Sequence, residues 1–287
     1  MTTTEPAGKT EMWRAELERI ACAGKASAFA LVLHDFETGL HFAIDDRKQF
    51  HAASTIKGAV LFALFRAIDE GRLRADAPLH VRNRFYSAVD RALFRVDPES
   101  DGYPELYRSI GRTARIIDLA EWMIVSSSNL ATNLLLDLVG VEYATKVLRD
   151  AEVHGIALRR GVDDERAFEH GLNNEVTAEG LFQLFAALRG DALSKQSRER
   201  AIHILLGQRF TSMIPAGLPA HASVAHKTGE ISTVCHDAGI IYLPEREPYI
   251  LAVLTESTAE GDRRRDTVAK ISEAIYKLAI QREVAST

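Results

Sequence analysis

The chain has 287 residues, 46% hydrophobic and 26% charged, enough for one large domain or two small ones with a sizeable core, and too apolar for global disorder. The net charge of −5 argues against nucleic acid or an anionic membrane as the main partner, and no apolar run approaches the roughly 20 residues of a membrane span.

The first residues, MTTTEPAGKT, are expected to be disordered, and the wider N-terminal stretch is polar and mixed in charge. It lacks the basic start and apolar core of a secretory signal, so the expected setting is the cytoplasm, or an exported compartment if a leader has been removed. Cys22 and Cys235 fit no metal-ligand spacing and read as unpaired, buried thiols. Trp13, Leu17, Ile20 and Ala21 share one helical face. SAFALVLHDFETGLHFAI then reads as two strands around a Glu-Thr-Gly turn. A helix is predicted from about Thr55 to Glu70, closed by Gly71.

The middle of the chain is a succession of helical patterns: RIIDLAEWMIVSS, NLATNLLLDLVG, EYATKVLRDAE, TAEGLFQLFAAL and SKQSRERAIHILL. The polar connector ALRRGVDDERAFEHGLNNEV lies between the third and fourth. ASVAHKTG, HDAGIIYL and YILAVLTES then read as strands, and a last helix is predicted from about Asp262 to Val284. Two or three strands alone bury too little, so strands at both ends of the chain are expected to share one sheet. The fold class that follows is mixed α/β, with an antiparallel sheet built from both termini, flanked by helices, and an inserted all-helical part. The expected organisation is one unit, with residues 26–55 and 222–287 as the α/β part and 56–221 as the mainly helical part. A site is expected at the seam between them.

Three short motifs carry chemistry. In HAASTIKGAV, Ser54 and Lys57 lie one helical turn apart at a helix start. The ordinary reading is an N-cap serine with a solvated lysine. The chemical one is a hydroxyl activated by a base, with free N–H groups to hold an oxyanion. Ser127, Ser128 and Asn129 form a polar turn between two apolar helices, either as caps or as a hydroxyl and an amide delivered to a cleft. Lys227, Thr228 and Gly229 close a strand, either as a turn or as a carboxylate site that backbone can approach closely.

Together, Ser-x-x-Lys, Ser-x-Asn and Lys-Thr-Gly in this order resemble the active-site serine family of class A β-lactamases and penicillin-binding proteins, most closely the class A branch. The likeness runs from about Ala28 to Ala279. It implies that Ser54 is the acyl-accepting nucleophile and that Lys57 shares in its activation. By the same likeness Ser127 relays a proton to the leaving nitrogen, Asn129 binds a side-chain amide, and Lys227 and Thr228 hold a carboxylate. The N–H groups of Ser54 and Glu230 form the oxyanion hole. FEHGLNN resembles the family's Glu-x-x-Leu-Asn, making Glu169 the base for deacylation and Asn173 its partner on one water.

The sequence also departs from the family. Only eight positions separate Glu169 from Thr177, so the loop is shortened. Ser128 replaces the usual aspartate, and Glu230 stands where small residues are common. Ala238 occupies the place of a carboxylate-binding arginine, which another element would have to supply. His34-Asp35 and His236-Asp237 are bare pairs without the further ligands a metal needs, so neither a metal nor an organic cofactor is expected. The activity implied is a β-lactam-opening serine hydrolase, monomeric, acting on a small molecule. An esterase or D-peptidase of the same fold, and a module that is acylated without turnover, are the alternatives.

Overall fold

The computed structural model describes residues 7–280. Helix α1 (Ala7–Ala23) already includes residues 7–10, which the sequence reading left disordered; residues 1–6 lie outside the described part. Strands β1 (Ala26–Asp35) and β2 (His41–Ile44) follow, then β3 (Phe50–His51), a 3₁₀ turn (Ala53–Ile56) and helix α2 (Lys57–Asp69). The next stretch carries β4 (Pro78–His80), β5 (Phe85–Tyr86), β6 (Leu93–Phe94) and β7 (Thr113–Arg115). Helices α3 (Ile116–Val125), α4 (Asn129–Val139) and α5 (Val141–Asp150) come next, then β8 (Ile156–Ala157), α6 (Glu165–Glu169) and β9 (Glu175–Val176). The chain continues through α7 (Ala178–Arg189), α8 (Lys195–Leu206), β10 (Ser223–Glu230), β11 (Val234–Tyr242), β12 (Tyr249–Ser257) and α9 (Arg263–Ile275). A wider helical turn, Tyr276–Ile280, ends the described chain, so the last helix stops being α-helical at Ile275, and 281–284 of its predicted span lie outside the described residues.

The two ends of the chain do meet in one antiparallel sheet, of order β10-β11-β12-β1-β2. Its strands are buried almost continuously because both faces are covered. Alternate residues point to opposite faces. Ala30, Val32, Ile250 and Ala252 join the core shared with α2 and α7, whereas Leu31, Leu33, Leu251 and Val253 join Trp13 and Leu17 of α1 and Val268 and Ile271 of α9. Helix α2 is buried from Lys57 to Phe65. A helix apolar all round must be surrounded, and α3, α4, α5, α7 and α8 all pack on it. Burying Phe62 and Phe65 contributes about 1.5–3 kcal/mol each. That enclosure fixes the axis on which Lys57 is carried.

A second, three-stranded sheet, β3-β9-β8, was not legible in the sequence. It pairs Phe50 with Val176 and His51 with Glu175, and Ala52 N donates to Asn174 O at 2.9 Å. The polar connector is thereby tied to the strand that leads into Ser54. The cysteine expectation holds for Cys235, which is buried, but Cys22 is exposed because it lies on the outer side of α1; both are free thiols.

Candidate active site

Ser54 lies in the 3₁₀ turn ahead of α2, at the free N-terminal end of the helical run. The preceding Ala53 is left-handed (φ +46), and His51 Nδ1 accepts its N–H at 3.1 Å. Ser127 (φ +58) and Asp163 (φ +58) are also left-handed, and all three line one cleft of about 540 Å³ with Ser54 and Asn129. Such a backbone costs a non-glycine residue roughly 1–3 kcal/mol, and its concentration around one cleft marks a functional site.

Lys57 is not solvated. It is fully buried, and Nζ donates to Ser127 O (2.6 Å), Asn129 Oδ1 (2.6 Å) and Ser127 Oγ (3.1 Å). Burial pulls its pKa down from 10.5 to about 8, with Asp101 and Asp163 holding it up against a further fall. Lys227 Nζ reaches the same Ser127 Oγ at 3.2 Å and Thr228 O at 2.9 Å. Its pKa is driven well below the usual lysine value by burial first and then by the Lys57 charge. A serine hydroxyl has two acceptor lone pairs and one proton. With both lone pairs taken by lysines, the Ser127 proton is left to donate to a third group.

Strand β10 is an edge of the main sheet and packs on the 3₁₀ turn. Ile231 N donates to Val234 O, so the alternation of an antiparallel ladder turns the Glu230 N–H to the open edge. Gly229 permits this approach: a Cβ there would stand 2.9 Å from Thr55 N and 3.1 Å from Ala52 O. Thr228 is buried beside it. The Glu230 carboxylate does not face the cleft as a free anion, since it binds Arg264 Nη2 (3.1 Å) and Arg265 Nε (2.8 Å). These arginines come from the start of α9, and Arg264 also donates to the carbonyls of Ile231 and Ser232, so they brace the end of β10.

The carboxylate and amide expected from the connector are not brought to the site. Glu169 is exposed at the end of the short helix α6, and the cleft is lined instead by Asp163, Asp164 and Glu165. The helix turns Phe168, not Glu169, to the cleft. Asn173 accepts from Arg160 through Oδ1 (3.1 Å) and from Arg159 through its carbonyl (2.7 Å), while Asn174 lines the cleft. Asp164 caps α6 through Ala167 N and holds Ala88 N. Asp163 reaches solvent at the mouth of the cleft and lies on the Lys57 side of it: its Oδ2 accepts from Asn129 Nδ2 at 2.9 Å, and desolvation within the cleft raises its pKa above the ordinary aspartate value. Asn133 Nδ2 and Oδ1 clamp Val162 O and N, fixing the backbone just before it. The sequence motifs single out Glu169 and not Asp163; the signal for Asp163 is Asn133, one helical turn beyond Asn129.

The sequence and structure have close counterparts. A profile described as the β-lactamase enzyme family matches residues 13–279. A β-lactamase of Streptomyces fradiae is 30% identical over 261 residues, covering 89% of this chain and 80% of that one. The β-lactamase ROB-1 of Haemophilus influenzae is 27% identical over 84% of this chain and 76% of its own. Among solved structures, a β-lactamase from Xanthomonas campestris superposes with a TM-score of 0.81 at 24% identity, covering 94% of this chain and 98% of that one. A variant of PBP-A, solved as its acyl-enzyme with penicillin G, gives 0.78 at 24% identity, covering 93% and 96%. The fold is that of the class A β-lactamases and penicillin-binding proteins. This chain belongs to the β-lactamase enzyme family and is a serine β-lactamase-like hydrolase.

Proposed function

We propose that the cleft opens the amide of a β-lactam through an acyl-enzyme on Ser54 and then hydrolyses the ester. The observation that carries this reading is the Ser127 hydroxyl held between Lys57 and Lys227 beside Ser54. The substrate carboxylate lies against Lys227 and Thr228, with Arg264 and Arg265 neutralising the nearby Glu230, and the substrate's carbonyl oxygen takes the N–H groups of Ser54 and Glu230. The neutral form of Lys57 accepts the Ser54 proton as Oγ bonds to the carbonyl carbon. When the C–N bond breaks, Ser127 gives its proton to the nitrogen and regains one from the lysine. Asn129 directs the acyl substituent through its amide. Gly229 keeps the oxyanion hole open.

In deacylation Asp163 is the base in this reading, in place of Glu169. It takes a proton from water as the oxygen adds to the ester carbon, and gives that proton up to Ser54 Oγ as the ester C–O bond breaks. A raised pKa and a fixed Asn129 contact suit a carboxylate to that work. The chain works as one unit, its α/β and helical parts meeting at this cleft. The test is turnover of a chromogenic cephalosporin followed by intact mass of the same mixture. Wild type turns over, Ser54→Ala does neither, and Asp163→Asn gains the mass of the opened substrate. Wild type that neither turns over nor gains mass refutes the reading.

A further inference from the structure

Ser128 stands where the family carries an aspartate, and a different carboxylate occupies the space behind it. Asp101, 7% exposed, lies under the Ser127–Asn129 turn. Its Oδ2 accepts from Leu130 N (2.8 Å), Tyr107 Oη (3.0 Å) and Ser128 Oγ (3.3 Å), and its Oδ1 from Tyr103 N (2.8 Å). The next residue, Gly102, lies flat on the same turn, where a Cβ would come within 1.8 Å of Ser126 O. Ser128 Oγ is committed as the N-cap of α4, accepting Ala131 N at 3.2 Å. The turn that presents Ser127 is therefore gripped from below by a carboxylate 27 positions upstream.

We infer that Asp101 is a positioning residue for the acylation machinery: its carboxylate, supplied from the loop before α3, replaces the aspartate missing at position 128, holding the left-handed Ser127 between the lysines and placing negative charge behind Lys57. The inference rests on the reading of Ser54, Lys57 and Ser127 given above. Lys57 touches the same turn from the opposite side through Ser127 O and Asn129 Oδ1. The charged and titratable groups around this assembly are Lys57 of α2, Lys227 of β10, Tyr107 of the turn after Gly102, Asp97 before it, and Asp163 of the connector. Tyr107 is held protonated by burial and by these carboxylates. Of the anions, Asp101 and Asp163 both favour the charged form of Lys57, so loss of Asp101 leaves the lysine easier to deprotonate.

The test uses the full chain, with penicillin G as probe, and reads the acylation rate by stopped flow and the titration of Lys57 by its ¹³Cε resonance. For Asp101→Asn the expected result is acylation slowed about 10- to 100-fold by misplacement of Ser127, with Lys57 titrating roughly half to one pH unit lower. The exchange variant carrying both D101S and S128D is expected to recover most of the rate. A folded Asp101→Asn with wild-type rate and wild-type Lys57 titration overturns the inference, as does a slowed variant whose Lys57 titration is unmoved and whose rate the exchange does not restore. Should Asp101→Asn not fold, Asp101→Glu keeps the charge at a longer reach: slowed acylation with unmoved titration supports positioning, and an unchanged rate overturns it. Wild type that is not acylated removes the Ser54 reading instead, while the Lys57 titration still reports on Asp101.

Discussion

Asn129 donates its amide hydrogen to Asp163 across 2.9 Å, and its Oδ1 accepts from Lys57 at 2.6 Å. One side chain thus spans the two groups proposed as the acylation and deacylation bases. If Asp163 activates the water, Asp163→Asn should lower kcat by about 10²- to 10⁴-fold while acylation persists, so a burst is followed by a stable adduct. Glu169→Gln, exposed and outside the cleft, should stay within about two-fold of wild type. Intact mass and steady-state rates decide it; an adduct in Glu169→Gln and normal turnover in Asp163→Asn would exchange the two roles.

The pKa of Lys57 gives acylation a defined pH dependence. In the proposed mechanism the base is the neutral lysine, and burial has brought its pKa to about 8. Below that, kcat/KM should rise about ten-fold per pH unit, levelling above it. Deacylation has the opposite requirement in the same proposal: if Asp163 is its base it must be ionised, so kcat should fall on the acid side at a pH above the usual aspartate range. Stopped-flow acylation and steady-state kcat across pH 4–10 separate the two limbs. A pH-independent acylation rate through pH 8 would remove Lys57 as the base.

The parts of this site that the sequence made legible are those where chemistry and local structure coincide. Ser54 and Lys57 share a helical turn, and Ser127 and Asn129 lie at a helix junction, so local structure groups each pair and the resemblance to the family supplies their roles. The five-stranded sheet was visible because its long strands are apolar on both faces. Strands β3, β8 and β9 are two residues each and have no period to read, yet their pairing decides which connector residues reach the cleft. Glu169 matched a motif by spacing, but the short α6 turns it to solvent. Asp101 was hidden for a similar reason: two of its four hydrogen bonds, from Ser128 and Leu130, come from 27 and 29 positions away, and the local ones read only as an Asp-Gly turn.

Gly229 is a second point where packing tolerates one residue. A methyl group there meets backbone atoms of Thr55 and Ala52, which cannot rotate away as a side chain could. Gly229→Ala should push β10 off the 3₁₀ turn by a few tenths of an ångström and widen the oxyanion hole. Loss of one well-placed donor costs about 10²- to 10³-fold, so partial misplacement should lower acylation by about 10- to 100-fold with little change in substrate affinity. Acylation rate against KM for the variant checks this; a rise in KM alone would place the effect on binding.

His236 makes the fold sensitive to acid. It is fully buried, with Nε2 bonding His51 O at 3.1 Å and Nδ1 accepting Thr255 N at 3.2 Å, the pattern of a neutral ring that donates through Nε2. Burial lowers its pKa from 6.5 to about 4, so the unfolded chain binds its proton first as the pH falls. The contribution is fully present above pH 6.5 and is lost progressively down to about pH 4, a difference of about 3 kcal/mol at about 1.4 kcal/mol per pH unit. His34 and His51, both lowered chiefly by burial, act in the same direction. Urea unfolding at pH 7 and pH 4 should therefore show a steep loss in wild type. His236→Gln, less stable at pH 7, should lose distinctly less between the two. Parallel losses in both proteins would mean that His236 is not the group that titrates.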